Sequence, residues 1–381
     1  MNRALLALLA GLAALGSLGI HSFIPALPAA AISLGAPPGA LQLTVTLYLL
    51  GMAVGQLLGG WGSDHLGRRK VTFVSLAAYL LGALAGASAT SLEHLLAARI
   101  VQALGGGSLL SLSRAVVVDQ ARGTDATRAL ATLGVIGLLS PALAPLLGGA
   151  LTDAGGWRLV LSALASFCVP MLLGMIFFFP KDRTRVHFTN PWLGFRRLLF
   201  LPTFWRNSIA GAATSTGLFA FLAASSFIFN MQGLTARQSG FAYLTVAIAV
   251  AAGALITRRA GNAALRVGSI AYAAGGMILL MAILMPGSPT ALILPMMIVG
   301  VGTGLAGPAA LAGALQADQE HVGTASSLAG ALQMATAAGT TSVIAAILPP
   351  SIFTAVLPVT AAGAVLLLLL IADAKPQRAV A

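Results

Sequence analysis

Apolar residues run through this chain in long blocks, and polar ones gather in the short gaps between them. The blocks cover residues 4–33, 40–61, 71–89, 93–117, 127–151, 159–179, 206–230, 238–257, 267–286, 289–314, 322–347 and 352–372. Wound as α-helix, each is about long enough to cross the ~30 Å hydrocarbon layer of a bilayer. The short alternating segments of a transmembrane barrel are absent from the sequence. A backbone surrounded by lipid must satisfy its own hydrogen bonds, so each block is predicted to be a helix. The pattern predicts an all-α membrane protein with twelve transmembrane helices.

The first block imitates a signal peptide, with Arg3 ahead of the apolar stretch from Ala4. Its apolar character continues to about Ile32, so it reads as an uncleaved first span. The longest polar gap, Lys181 to Arg206, divides the chain into residues 1–180 and 206–381, six spans in each, joined by a cytoplasmic linker at 181–205. Within the linker, Asn190 to Leu199 reads as a short amphipathic helix. Trp192, Phe195 and Leu199 would dip into lipid and Arg196 and Arg197 would meet headgroups; a plain tether is the alternative.

The halves look like copies. Arg99-Ile100-Val101-Gln102 matches Met297-Ile298-Val299-Gly300, and Gly105 and Gly107 are echoed by Gly302 and Gly304. Duplicated halves of this kind place a substrate site at their interface near the bilayer midplane.

Composition agrees with the pattern. Of 381 residues 58% are hydrophobic and 8% charged, and the mean hydropathy is +0.94. Soluble domains carry about 25% charged residues, and no soluble interior would hide this much apolar surface. The net charge of +12 does not point to nucleic acid, because the basic residues sit in loops between spans. Apart from Arg99, Arg158 and Arg237, every Lys and Arg falls on the side of the N-terminus, which predicts that both termini are cytoplasmic. Cys168 is the one cysteine, so no intrachain disulfide forms, and it reads as a buried structural thiol.

Titratable groups within the spans are few. All nine acidic residues fall in loops or at span ends, which removes the usual membrane carboxylate of a proton-coupled carrier. Arg99 lies inside span four, where an arginine costs ~2.5–3.5 kcal/mol to insert. Gln102 and Gly106 share its face, and the three are expected to border a wet cavity; snorkelling to the surface is the alternative. His21 lies on one face of span one with Ser17, Pro25 and Pro28, and its ordinary pKa near 6.5 makes it the candidate proton-coupling group. A neutral imidazole bonded across helices is the other reading.

Between spans two and three, Gly60 to Lys70 is unusually charged. Asp64, Gly67, Arg68 and Arg69, with Arg114 and Asp119 at the end of span four, form a candidate conformational latch; independent topology charges are the alternative. Span five contains Pro141, Pro145, Gly148 and Gly149, a composition suited to a kinked, closely packed gating helix. Phe219, Phe221, Phe227 and Phe229 in span seven offer apolar surface to a cavity or to lipid. Gly300 to Gly304 is glycine-rich but follows no strand and lies within a span, so it is no nucleotide loop. No metal motif, cofactor signature or polar catalytic cluster is present, which argues against an enzyme.

These residues resemble the major facilitator transporters, and within them the drug:proton antiporter branch that includes bicyclomycin and chloramphenicol exporters. The loop signature falls on Gly60, Asp64, Gly67, Arg68, Arg69 and Lys70, with His65 where a basic residue is usual. The span-four signature falls on Arg99, Gln102, Gly105 and Gly106. The exporter signature of span five falls on Pro145, Gly148 and Gly149, with Ser140 and Ala144 where glycines are usual. Pro25 to Pro28 and Gly217 to Ser225 look specific to this branch.

The resemblance implies a multi-pass protein of the bacterial inner membrane that exports small apolar compounds against protons by alternating access; a monomer is the expected state, because one chain holds a complete pathway. Its partners are a small-molecule substrate, protons and the lipid bilayer. These exporters typically carry an aspartate where this chain has His21. An uncoupled facilitator or importer of a metabolite, and a receptor that has lost transport, remain the alternatives.

Overall fold

The computed structural model describes residues 2–121, 129, 133, 143–180, 191–281, 289–318, 322–347 and 351–374; the side chain of Asp64 lies outside that description. Among the described residues, eleven helices are long and apolar enough to cross a membrane. They match the predicted spans one for one except the fifth, 127–151, of which the described part is mainly a helix at 143–155. Pro141 lies outside the described residues.

Helix α1 (Arg3–His21) starts where the Asn2 side chain accepts a hydrogen bond from the Ala4 amide. It stops ahead of two prolines. Pro25 and Pro28 have no N–H to continue the ladder, so the chain passes through a 3₁₀ turn, Ile24–Ala26, into α2 (Leu27–Leu34). Helices α3 (Pro38–Leu66) and α4 (Arg68–Ala87) meet at the single residue Gly67. Its φ of 94° is a conformation that side-chain-bearing residues rarely adopt, which explains a glycine in the most charged turn of the chain.

Then come α5 (Leu92–Gln120), α6 (143–155), α7 (Trp157–Phe178) and the linker helix α8 (Pro191–Leu199). The rest are α9 (Pro202–Met231), α10 (Ala236–Ala260), α11 (Ala264–Met281), α12 (Pro289–Gln316), α13 (Val322–Ile347) and α14 (Ile352–Ala374). The N-terminus and the turns at Gly67 and Gly261 lie at one end of the bundle, called here the basic end.

Two helix groups pack in the same way. Lipid tails are as apolar as leucine, so helices in a membrane associate through close backbone approach at small residues. In the first group, Gly82 and Gly105 let α4 meet α5 with no room for a Cβ, and Gly55 and Gly107 do the same for α3 and α5. In the second, Gly275 and Gly302 join α11 to α12, and Gly253 and Gly304 join α10 to α12. Gly82 faces Gln102 and Ala98, whereas Gly275 faces Val299 and Pro295. That equivalence corrects the register read from sequence by one residue. The counterpart of Arg99 is Met296, not Met297, and it is fully buried.

One tyrosine pair exposes a difference between the groups. Tyr79 and Tyr272 occupy equivalent places, their hydroxyls against Gly19 of α1 and Gly217 of α9. The Tyr79 hydroxyl donates to the Leu15 carbonyl at 2.8 Å, whereas the buried Tyr272 hydroxyl has no partner among the described residues. Tyr79→Phe is therefore expected to destabilise the protein by about 1 kcal/mol, and Tyr272→Phe to leave it unchanged or more stable. Thermal unfolding midpoints of the two purified variants check the contrast.

The linker helix is docked rather than only floating on lipid. Leu198 is buried against Phe204, Ala314, Ala325 and Ala329, and Arg197 Nε lies 3.3 Å from Asp318 Oδ2. Leu199 is exposed.

Candidate functional site

A cavity of about 260 Å³ opens between the two groups, lined from α1, α3 and α5 on one side and α9, α10 and α13 on the other. His21 lines it as the last residue of α1, where the chain leaves the helix for the proline-rich turn. Its Nδ1 lies 2.8 Å from the Ser17 carbonyl, which can only accept. Nδ1 therefore carries the proton, and Nε2 keeps its lone pair. Across the cavity, Phe219 places its ring centroid 5.5 Å from that of His21. Gly19 and Gly217 are counterparts, so His21 and Phe219 are counterparts as well, one from each repeat.

Most of the wall is apolar: Met52, Phe219, Phe221 and Met334 line it, as does Tyr243, whose hydroxyl lies 3.2 Å from Ser225 Oγ. Phe227 and Phe229 are buried in packing instead. Ser17 and Arg114 complete the polar lining. Gly16 packs on Gly106 and so levels α1 with the antiparallel α5. From that level His21 rises away from the basic end and Arg114 falls toward it. At 1.5 Å per residue their backbones differ in height by about 20 Å.

Arg99 is not among the lining residues, and this corrects the sequence reading. It is 1% exposed. Its guanidinium donates to Gln102 Oε1 at 2.6 Å and to the Gly19 carbonyl at 2.9 Å, and lies 4.1 Å from the Tyr48 ring centre and 4.8 Å from that of Phe23. The cost of burying the charge is offset by charged hydrogen bonds and aromatic faces rather than by water. Gly19 lies in the last turn of α1, where carbonyls run short of helical donors. Arg99 thus caps α1 two residues before His21. Tyr48 and Tyr79 bind the Gly16 and Leu15 carbonyls one turn earlier, at 3.1 and 2.8 Å. Gln102 is fully buried beside Arg99, and Gly106 is closed off by Gly16 and Tyr79. Among the described residues, Arg99 and His21 share no crevice: His21 faces the cavity, and Arg99 is walled into the first helix group.

The charged turn at the basic end assembles in part as expected. Arg68 Nε lies 3.0 Å from Asp119 Oδ2, and Arg68 also donates to Ser63 Oγ. This pairing joins α3, α4 and α5, all within one helix group. Arg114 is not part of it. Five residues of helix turn it about 140° away from Asp119, toward the cavity. Arg69 lies in the same turn at the head of α4.

The two groups meet at the end opposite the basic one. Gly149 of α6 packs on Ala236 and Arg237, and Gly240 packs on Pro145 and Leu146. The Arg237 amide donates to Asp153 Oδ2 at 3.2 Å. Gly148 is tight against the Ser22 carbonyl, the residue after His21. Thr46 and Thr341 share a hydrogen bond of 2.9 Å between α3 and α13. The cavity therefore lies between this seal and the basic end.

Comparison with known proteins agrees with this architecture. The chain is 30% identical over 320 residues to a chloramphenicol resistance protein of Pseudomonas aeruginosa, covering 80% of this chain and 75% of that one. It is 34% identical over 161 residues to multidrug resistance protein D of Escherichia coli strain K12, covering 42% of this chain and 41% of that one. The crystal structure of a D-xylose–proton symporter superposes over 95% of this chain and 96% of its own, with a TM-score of 0.75 at 15% identity. The sequence profile of the Major Facilitator Superfamily matches residues 7–340, a family of membrane transporters rather than enzymes. The chain belongs to the Major Facilitator Superfamily.

Proposed function

We propose that this transporter is a proton-driven exporter of small, mostly apolar compounds from the bacterial cytoplasm. It works by rocking residues 1–180 against 206–381, with 181–205 as the linker. The basic end is the cytoplasmic one, on the asymmetry of Lys and Arg. The described state is then open toward the cytoplasm and sealed outside by α6 and α10, a gate in which Pro145 and Gly149 are the moving contacts, while Gly148 packs on Ser22 within its own half. The pair of Arg68 with Asp119 keeps α3, α4 and α5 together as one body during the rocking.

One observation carries the reading: an imidazole lines an otherwise largely apolar cavity between the two repeats. Proton uptake at Nε2 needs no change at Nδ1, which stays on the Ser17 carbonyl. Loading from the outside and release inside then require only that access alternate. The resistance proteins named above suggest the cargo, small compounds toxic to bacteria.

His21→Ala is expected to reduce uncoupler-sensitive efflux by about 100-fold, on the scale of a lost general acid–base group, while substrate binding stays within a few-fold. Efflux assays with and without an uncoupler, paired with binding to purified protein, check it. The cavity lining described here includes no carboxylate, which favours a second reading, uncoupled facilitation. Full flux in His21→Ala without any proton movement would establish that one.

A further inference from the structure

We propose that the cavity selects aromatic organic anions over cations of the same shape, with the Arg114 guanidinium as the binding group for the acid. The inference rests on the export reading only in taking this cavity as the cargo site.

Arg114 lines the cavity and has no hydrogen-bond or ion-pair partner among the described residues. Arg99 and Arg68 are already engaged, Arg99 with Gln102 and Gly19 and Arg68 with Asp119. Asp119, the acid nearest to Arg114 along α5, is held by Arg68 on another face of the helix. The remaining polar groups of the lining are Ser17, His21 and the Tyr243 hydroxyl, none of them an anion at neutral pH. A guanidinium without a counter-ion in an apolar wall has a large unmet demand for a carboxylate or sulfonate. A cationic cargo would meet that charge without compensation.

The geometry also fits an amphiphile. The guanidinium lies toward the cytoplasmic mouth, and Phe219, Phe221 and Tyr243 offer aromatic surface beyond it. A volume of about 260 Å³ is at the small end for a bound organic molecule, enough for one or two fused rings.

The test uses three probes of one shape: 1-naphthoate, 1-naphthamide and 1-naphthylmethylammonium. Binding to the full-length protein is measured in nanodiscs of zwitterionic lipid at pH 8, above the ordinary range of imidazole. Naphthoate is expected to bind at least tenfold more tightly than either other probe. Arg114→Gln should bring naphthoate within about twofold of the amide, and Arg114→Lys should keep most of the preference. Equal binding of the ammonium probe, a preference that survives Arg114→Gln, or no measurable binding of naphthoate to the wild type would overturn the proposal.

A second set of nanodiscs contains phosphatidylglycerol. A tenfold fall in naphthoate affinity there, absent in Arg114→Gln, would assign the guanidinium to a lipid phosphate instead of a soluble cargo. No gradient is imposed in the binding arms. Transport is read separately in proteoliposomes with an imposed pH gradient, where a naphthoate that binds as expected but is never moved would count against export and leave the selectivity standing.

Discussion

Arg99→Ala is expected to destabilise the purified protein by about 3–5 kcal/mol and to lower transport by at least 100-fold, whatever the substrate. The substitution removes two charged hydrogen bonds and two aromatic contacts from a site that is 1% exposed. It leaves the Gly19 carbonyl and the Gln102 amide oxygen without their donors, and a void that Tyr48 and Phe23 must collapse to fill. The α1 terminus then loosens, and His21 with it. Arg99→Lys keeps the charge but loses the planar fork that reaches two acceptors at once, so it should recover only part of the stability. Unfolding midpoints in detergent and transport in proteoliposomes measure both effects. If Arg99→Ala kept its stability within about 1 kcal/mol and lost only proton coupling, the arginine would be a partner of the proton site, not a brace.

Gly149→Val is expected to have the second largest effect, a shift of the resting protein toward the state open on the opposite face. A side chain at Gly149 runs into the Ala236 backbone, and relieving that overlap costs about 1–3 kcal/mol. The strain exists only while the seal is closed, so it moves the equilibrium by about 5- to 150-fold. In a Cys168→Ser background, a reporter Ser17→Cys should react correspondingly faster with a membrane-impermeant thiol reagent added outside. Ser17 lines the cavity, and Cys168 is buried, so the exchange gives one informative thiol. An unchanged labelling rate would remove α6 from the gate.

The helices were legible because each apolar block is long and bounded by charge or by turn residues such as glycine and proline. The repeat was legible because close packing in lipid needs glycine at the same places twice. Arg99 was misread for a specific reason. A charge in hydrocarbon needs compensation, and its sequence neighbours supply little besides Gln102. The rest comes from Gly19, Phe23 and Tyr48, on other elements 50 to 80 residues away in the chain. Water was the natural inference, and packing the actual answer. Arg114 was misplaced because its position along α5 was read correctly while its direction around the helix was not. Five residues separate it from Asp119, which puts the two on different faces. The repeat register slipped by one because Met297 was matched to Arg99, although the echo of Gly105 and Gly107 by Gly302 and Gly304 already pairs Arg99 with Met296, as the contact of Gly275 with Val299 does. His21 was legible, since the other four histidines lie in loops or at span ends.

The meeting of His21 with Phe219 has a mechanical consequence. Residues at matching positions of two related bodies can touch only at the line of rotation that relates them. That line runs along the membrane normal, and rocking turns about an axis in the membrane plane that crosses it, so a point on the line shifts sideways but hardly in depth. A proton held at that imidazole would stay at nearly constant depth through the cycle, and what reverses would be the column of water that reaches it. The driving force would then be gathered by switching the route to a stationary hub, with no charge ferried across the bilayer.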